Sequence, residues 1–261
     1  MNQARPLVPS RFVRPSIPRP GGGRDRAALV NESYEAIAEG SRSFAFASKL
    51  FDKATRERVW MLYAWCRRCD DLADAQDRLD AMEAKLPEFF ATLPKAPLQV
   101  KPVEAFREKS AGKAFYQSPA PDGSRPGTYY VNLYNLKDMS KNELEALAYH
   151  EGLPGHHLQR TIQTELGDVP PFRRFGGVTA YTEGWGLYSE ELGKDMGFYT
   201  DPYSDFGRLG MELWRACRLV VDTGIHHKRW SRERAIQYLT DNTPNPPGDI
   251  EKAIERYVVY P

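Results

Sequence analysis

His150-Glu151-Gly152-Leu153-Pro154-Gly155-His156-His157 is the stretch on which the reading of this 261-residue chain turns. A helix that binds zinc through two histidines sets them one turn apart with a glutamate after the first. Both imidazoles then reach one ion and the carboxylate reaches its water. Here two further residues intervene. On a continuous α-helix His156 would lie roughly 240° around from His150, and His157 would return to the same face roughly 10.5 Å further along the axis. Neither pair could share an ion at Zn–N bonds of about 2.0–2.1 Å. Pro154 has no amide hydrogen and its ring would clash with the carbonyl of His150, while Gly152 and Gly155 permit unusual dihedrals on either side. The sequence therefore predicts a helix that starts near Ser140, where Ser140 and Glu143 make a capping-box signature. It runs through Leu144, Leu147 and Tyr149 and breaks between Glu151 and His156. The second histidine of the pair is His156 or His157. The structural alternative is a helix end with surface histidines in a Gly-Pro turn.

A zinc site of this kind needs a third protein ligand and an open position. Glu183 begins a helix after Gly176-Gly177, on a face shared with Leu187 and Glu190, while Tyr181, Trp185, Tyr188 and Leu192 form its apolar stripe. Acids on a partly apolar face are costly to bury unless paired or metal-bound. Glu190 and Glu191 read instead as a solvated acidic face. The chain has five histidines, and the other two are His226 and His227. Arg215, Arg218, Asp222 and His226 share one face of a helix over 205–228. Asp222 can hold His226 in one orientation, and a histidine so held can stabilise an oxyanion. A surface ion-pair ladder is the alternative. Gly224, unfavourable inside a helix, points to close approach by another element.

Composition sets the frame. A hydrophobic fraction of 41% supports a sizeable core, and a formal charge of +1 gives no bulk attraction for nucleic acid. Three cysteines are too few and odd in number for a disulfide framework, which favours a reducing, cytoplasmic setting. No apolar run is long enough for an integral membrane segment. Residues 1–27, rich in Pro, Arg and Gly, read as a disordered tail. Helices follow over 28–76, with Val59, Leu62, Tyr63 and Cys66 at helical spacing. A short helix and a Pro-interrupted connector (Pro94, Pro97, Pro102) occupy 77–110. Runs 113–117 and 128–135 flank Pro121-Asp122-Gly123 as a hairpin, which could present a strand edge to a peptide. Further helices are expected at 178–194, 205–228, 231–240 and 249–259, the last capped by Asp249.

With these residues in hand, the chain from about residue 79 onward resembles a bacterial family of gluzincin-type metallopeptidases. That family is catalogued as domain of unknown function number eight-eight-five. The matching runs are 150–159 (His-Glu-Gly-Leu-Pro-Gly-His-His-Leu-Gln), 179–185 (Thr-Ala-Tyr-Thr-Glu-Gly-Trp), 218–226 (Arg-Leu-Val-Val-Asp-Thr-Gly-Ile-His), 230–236 and 256–261. The resemblance implies a mainly α, gluzincin-like fold with a small β-hairpin. It also implies Zn²⁺ held by His150, His156 and Glu183, with Glu151 as general base on a peptide substrate. The family's proteins continue past Pro261 and carry a long helical N-terminal portion, which implies weakened peptide binding here. Residues about 28–77 resemble instead the start of phytoene and squalene synthases. The runs are Gly40-Ser41-Arg42-Ser43-Phe44 and Met61-Leu62-Tyr63-Ala64-Trp65-Cys66-Arg67-Arg68-Cys69-Asp70-Asp71. In those enzymes an aspartate pair binds Mg²⁺ and a prenyl diphosphate. The matching residues are Asp70 and Asp74, and a second aspartate-rich helix is missing after residue 80. Cys66 and Cys69, a lone C-x-x-C, read as helix packing. The expected organisation is thus a tail (1–27), a prenyl-synthase-like helical fragment (28–77) and a metallopeptidase-like segment (78–261), joined near Gln76 to Arg78. A non-catalytic fusion is the remaining functional alternative.

Overall fold

The computed structural model describes residues 25–134 and 140–260. The predicted tail falls almost entirely outside them. The chain is mainly helical with one small sheet. Asp25, Ser41 and Asp52 cap α1 (Arg26–Gly40), α2 (Arg42–Ser48) and α3 (Lys53–Lys85), each side chain accepting from first-turn amides. α3 is one 33-residue helix and runs unbroken through 76–78, where the two resemblances meet.

Its two halves are buried differently. Leu62 and Trp65 in the first half are exposed, as are Cys66 and Cys69, so the C-x-x-C pair does not serve packing. Ala75, Leu79 and Met82 in the second half are buried, and with Leu86 they join the principal core beside Tyr129, Val131, Leu144, Tyr149 and Met196.

The sheet orders β1 (Leu98–Pro102), β3 (Gly127–Val131) and β2 (Ala114–Gln117), with β1 parallel and β2 antiparallel to β3. The expected hairpin is β2–β3. β1 was hidden in the Pro-rich connector, and its one proline, Pro102, ends an edge strand where no ladder amide is needed. β3 is paired on both sides and entirely buried, so it cannot offer an edge, whereas β1 and β2 do; residue 135 of the predicted run 128–135 lies outside the described residues.

Beyond the sheet come α4 (Leu144–Glu151), α5 (His156–Glu165), the short α6 (Pro171–Phe175), α7 (Thr179–Asp195), α8 (Pro202–His226), α9 (Arg232–Asn242) and α10 (Pro247–Val259). Ser140 caps as expected by accepting from Asn142, yet Glu143 does not close a capping box, because its carboxylate pairs with Lys113 at 2.6 Å. Asp249 is also drawn to Lys113, at 3.0 Å, and the α10 cap position falls to Pro246. Here a half-buried lysine outcompetes two caps. A second core joins α8, α9 and α10 through Cys217, Val221, Leu239, Ile250 and Ile254. Gly224 lies in α8, and a side chain there would strike the Trp230 ring, the close approach its position implied.

The asymmetry of α3 gives a direct expectation. Leu79→Ala should cost about 2–5 kcal/mol in urea unfolding, as for other buried leucines. Leu62→Ala, at an exposed position, should stay within about 0.5 kcal/mol. Equal costs would show that α3 does not belong to the core in the manner described.

Candidate metal centre

The helix break comes where Pro154 requires it: α4 ends at Glu151 and α5 starts at His156. Gly155 passes against the end of α4, where a Cβ would collide with the carbonyls of Tyr149 and His150. Trp185 donates its indole N–H to the Pro154 carbonyl at 2.9 Å, which fixes the turn against α7. The reversal brings the two imidazoles face to edge, with ring centroids 4.6 Å apart.

Glu183 reaches both rings from the first turns of α7. His150 Nε2 lies 3.6 Å from Glu183 Oε2, and His156 Nε2 lies 3.8 Å from Glu183 Oε1. One donor atom from each of the three residues falls within 4.8 Å of the others. Ligand atoms around a tetrahedral zinc sit about 3.3 Å apart at bonds near 2.05 Å, so a small inward movement accommodates the ion. Among the described residues no other group of three or more His, Cys, Asp or Glu side chains does this, Asp70 and Asp74 included.

His157 is otherwise engaged. Its Nδ1 accepts from the Tyr116 hydroxyl at 2.9 Å and its Nε2 donates to the Ala96 carbonyl at 3.1 Å, tying α5 to the sheet. Burial pushes it down to about 4, so it is neutral, with both ring nitrogens spent. Between the two histidines left open by sequence, His156 is the one that faces His150.

Two residues of the centre were not recognised as such. Glu190, read as solvated, is fully buried, and its Oε1 sits 2.7 Å from His150 Nδ1. Its sequence signal was its seven-residue spacing from Glu183 on the same helical face. Arg215 enters from α8. Its Nη2 is 3.1 Å from His150 Nε2, its Nη1 3.4 Å from Glu183 and its Nε 3.4 Å from Glu190. His226, on the same helix, lies roughly 16 Å further along the axis. Its Nε2 donates to the Tyr257 carbonyl at 2.8 Å, and Asp222 stands 3.8 Å away. The structure therefore seats His226 and Asp222 at the junction with α10.

The charge states follow from these contacts. Burial opposes a charge on His150, but hydrogen bonds to Glu183 and Glu190 outweigh it and push its pKa up to about 9. His156, buried and beside that charge, falls to about 4. The His150 hydrogen bond holds the Glu183 carboxyl down to about 2, with burial opposing. Burial raises the Glu151 carboxyl, the His150 charge opposing.

This chain belongs to a bacterial family: the sequence profile described as "Bacterial protein of unknown function (DUF885)" matches residues 23–261. The fold is also that of a protein from Colwellia psychrerythraea described as a candidate lipoprotein. Their TM-score is 0.74 at 34% identity, covering 91% of this chain and 43% of that one. Short segments match phytoene synthases. The 15-cis-phytoene synthase of Pantoea ananas is 61% identical over 49 residues, which are 19% of this chain and 16% of that protein. The phytoene synthase of Pseudescherichia vulneris is 52% identical over 60 residues, 23% and 19% of the two chains. The chain thus spans under a fifth of these synthases and under half of the Colwellia protein.

Two measurements test the centre. A Cβ at Gly186 would strike the His150 imidazole, so Gly186→Ala should weaken zinc affinity by about 10- to 100-fold in a chelator competition; unchanged affinity would contradict the placement of the ring. Of the three candidate ligands only His150 is protonated beyond its metal-binding form at neutral pH. Metal and proton compete for it, so affinity should rise about tenfold per pH unit between about 6 and 8 and flatten above about 9. Calorimetry in buffers of different ionisation enthalpy should count about one proton released.

Proposed function

We propose that this chain is a zinc-dependent hydrolase acting on peptide bonds, with Zn²⁺ held by His150, His156 and Glu183 and Glu151 as general base. The observation that carries this reading is the convergence of those three side chains at the helix break, with Glu151 next in sequence to the first of them. The donor set, two imidazoles and a carboxylate, is one that suits catalytic zinc. Zinc bound there supplies Lewis acidity toward a carbonyl and toward water.

The protein's own residues account for the rest. Glu151, its carboxyl raised by burial, takes the proton of the attacking water and passes it to the leaving amine. Arg215 is the cation nearest the site and suits the developing oxyanion. His226, named for that role on sequence grounds, is the alternative. β2 is an edge strand close to the centre: its Tyr116 ring is 6.5 Å from that of His156. An extended peptide added along β2 would pass beside the metal ligands. A prenyl-transfer reading has less support, because the match covers so little of those enzymes and, among the described residues, Asp70 and Asp74 join no group of three or more side chains that could hold a metal ion.

The test is a peptide-library digest with the zinc-loaded chain and its Glu151→Gln variant. The variant should keep its metal and lose about 10²–10⁴-fold in hydrolysis, since an amide cannot accept the proton. Arg215→Ala should also lose rate with zinc retained, whereas His226→Ala should lose little. Equal activity in wild type and Glu151→Gln would overturn the assignment of the base.

A further inference from the structure

We propose that the corner formed by α2 and the start of α3 is a docking surface for anionic lipid bilayers. The inference does not rest on the metal centre. α2 turns Ala45 and Ser48 inward, and Trp60 of α3 donates its indole N–H to Ser48 Oγ at 2.8 Å, clamping the two helices together. The residues between point outward. Phe46 is 71% exposed and Leu50, in the connecting turn, is 86% exposed, with Phe44 and Phe51 also exposed beside them. Three successive backbone turns, Lys49 to Phe46, Leu50 to Ala47 and Phe51 to Ser48, hold the tip tightly, so the apolar side chains are presented on a fixed frame.

Its charge selects the occupant. Residues 41–69 carry seven Arg and Lys against two acids, Asp52 and Glu57, in a chain whose formal charge is only +1. One of the two is neutralised by an ion pair. Asp52 accepts from Ala54 and Thr55 as the α3 cap, and Glu57 is buried against Arg26. Arg42, Lys49, Lys53 and Arg58 are exposed, without an ion-pair partner among the described residues.

Exposed Phe and Leu on a fixed frame, with unpaired cations on the same two helices and the turn between them, form the arrangement that sinks about 5–10 Å into a bilayer interface while its charges meet anionic headgroups. A second copy of the chain fits less well, because two such faces would bring like charges together. Single-stranded nucleic acid would use the cations and aromatic rings but gains nothing from Leu50, the most exposed of the group.

The experiment is co-sedimentation of the full chain with vesicles of phosphatidylcholine alone and with about one-third phosphatidylglycerol, at about 0.15 M and about 0.5 M salt. Binding should require the anionic lipid and weaken at the higher salt. Phe46→Ser with Leu50→Ser, and separately Lys49→Glu with Lys53→Glu, should each weaken it at least about tenfold. All four sites are exposed, so circular dichroism and melting should be unchanged. Four results would overturn the proposal: no binding to the anionic vesicles, equal binding to neutral ones, variants that bind like wild type, or displacement from vesicles by poly(U). A dimer in vesicle-free solution that the Phe46/Leu50 pair of substitutions dissolves would assign the face to a second copy instead.

Discussion

His150 is the next-to-last residue of α4 and His156 the first of α5, and the four residues between the two helices reverse the direction in which side chains are presented. On one straight helix the imidazoles would point roughly 120° apart. The Pro154 ring cannot share space with the His150 carbonyl, so the ladder must end there. Gly155 then lets the chain double back against that helix end without a side chain in the way. The turn is pinned from α7 by Trp185, the helix that also carries Glu183 and Glu190. One backbone constraint therefore sets the spacing of two histidines and the position of the helix that supplies their carboxylates.

The second organising feature is charge balance around His150. Glu183, from a half-exposed position, and the buried Glu190 are drawn toward the same histidine, and a carboxylate withdrawn from water, as Glu190 is, is costly without partners. His150, protonated up to about 9, and Arg215 supply those partners in the metal-free protein. A dication fits the same logic, because it would replace the proton on His150 and leave the carboxylates satisfied. Glu190 stays behind the ring, where its bond to Nδ1 leaves Nε2 to face Glu183 and His156.

Much of this was legible in the sequence, for identifiable reasons. The break, the β2–β3 hairpin and the helices from α7 to α10 all carry local signals: proline, glycine, alternation and helical spacing. The triad was legible because a His-Glu pair beside a helix breaker has few structural uses. What escaped depended on distant partners. Glu143 and Asp249 look like helix caps until Lys113 arrives from just before β2. Glu190 looks solvated until α4 lays His150 over it. β1 is masked by the prolines of the connector around it, and only pairing with β3 makes it a strand. His226 bore the signature of an oriented catalytic histidine, but its orienting partner is the Tyr257 carbonyl of α10, a contact that no spacing along α8 reveals.

In the proposed centre, His150, His156 and Glu183 close on a single zinc ion. X-ray absorption spectroscopy at the zinc edge on the loaded protein, read beside the His156→Ala and His157→Ala variants, tests it most directly. The account predicts two imidazole nitrogens at about 2.0–2.1 Å and one carboxylate oxygen at about 2.0–2.2 Å, with one imidazole lost in His156→Ala and none in His157→Ala. Sulfur ligation, or loss of an imidazole only in His157→Ala, would contradict it.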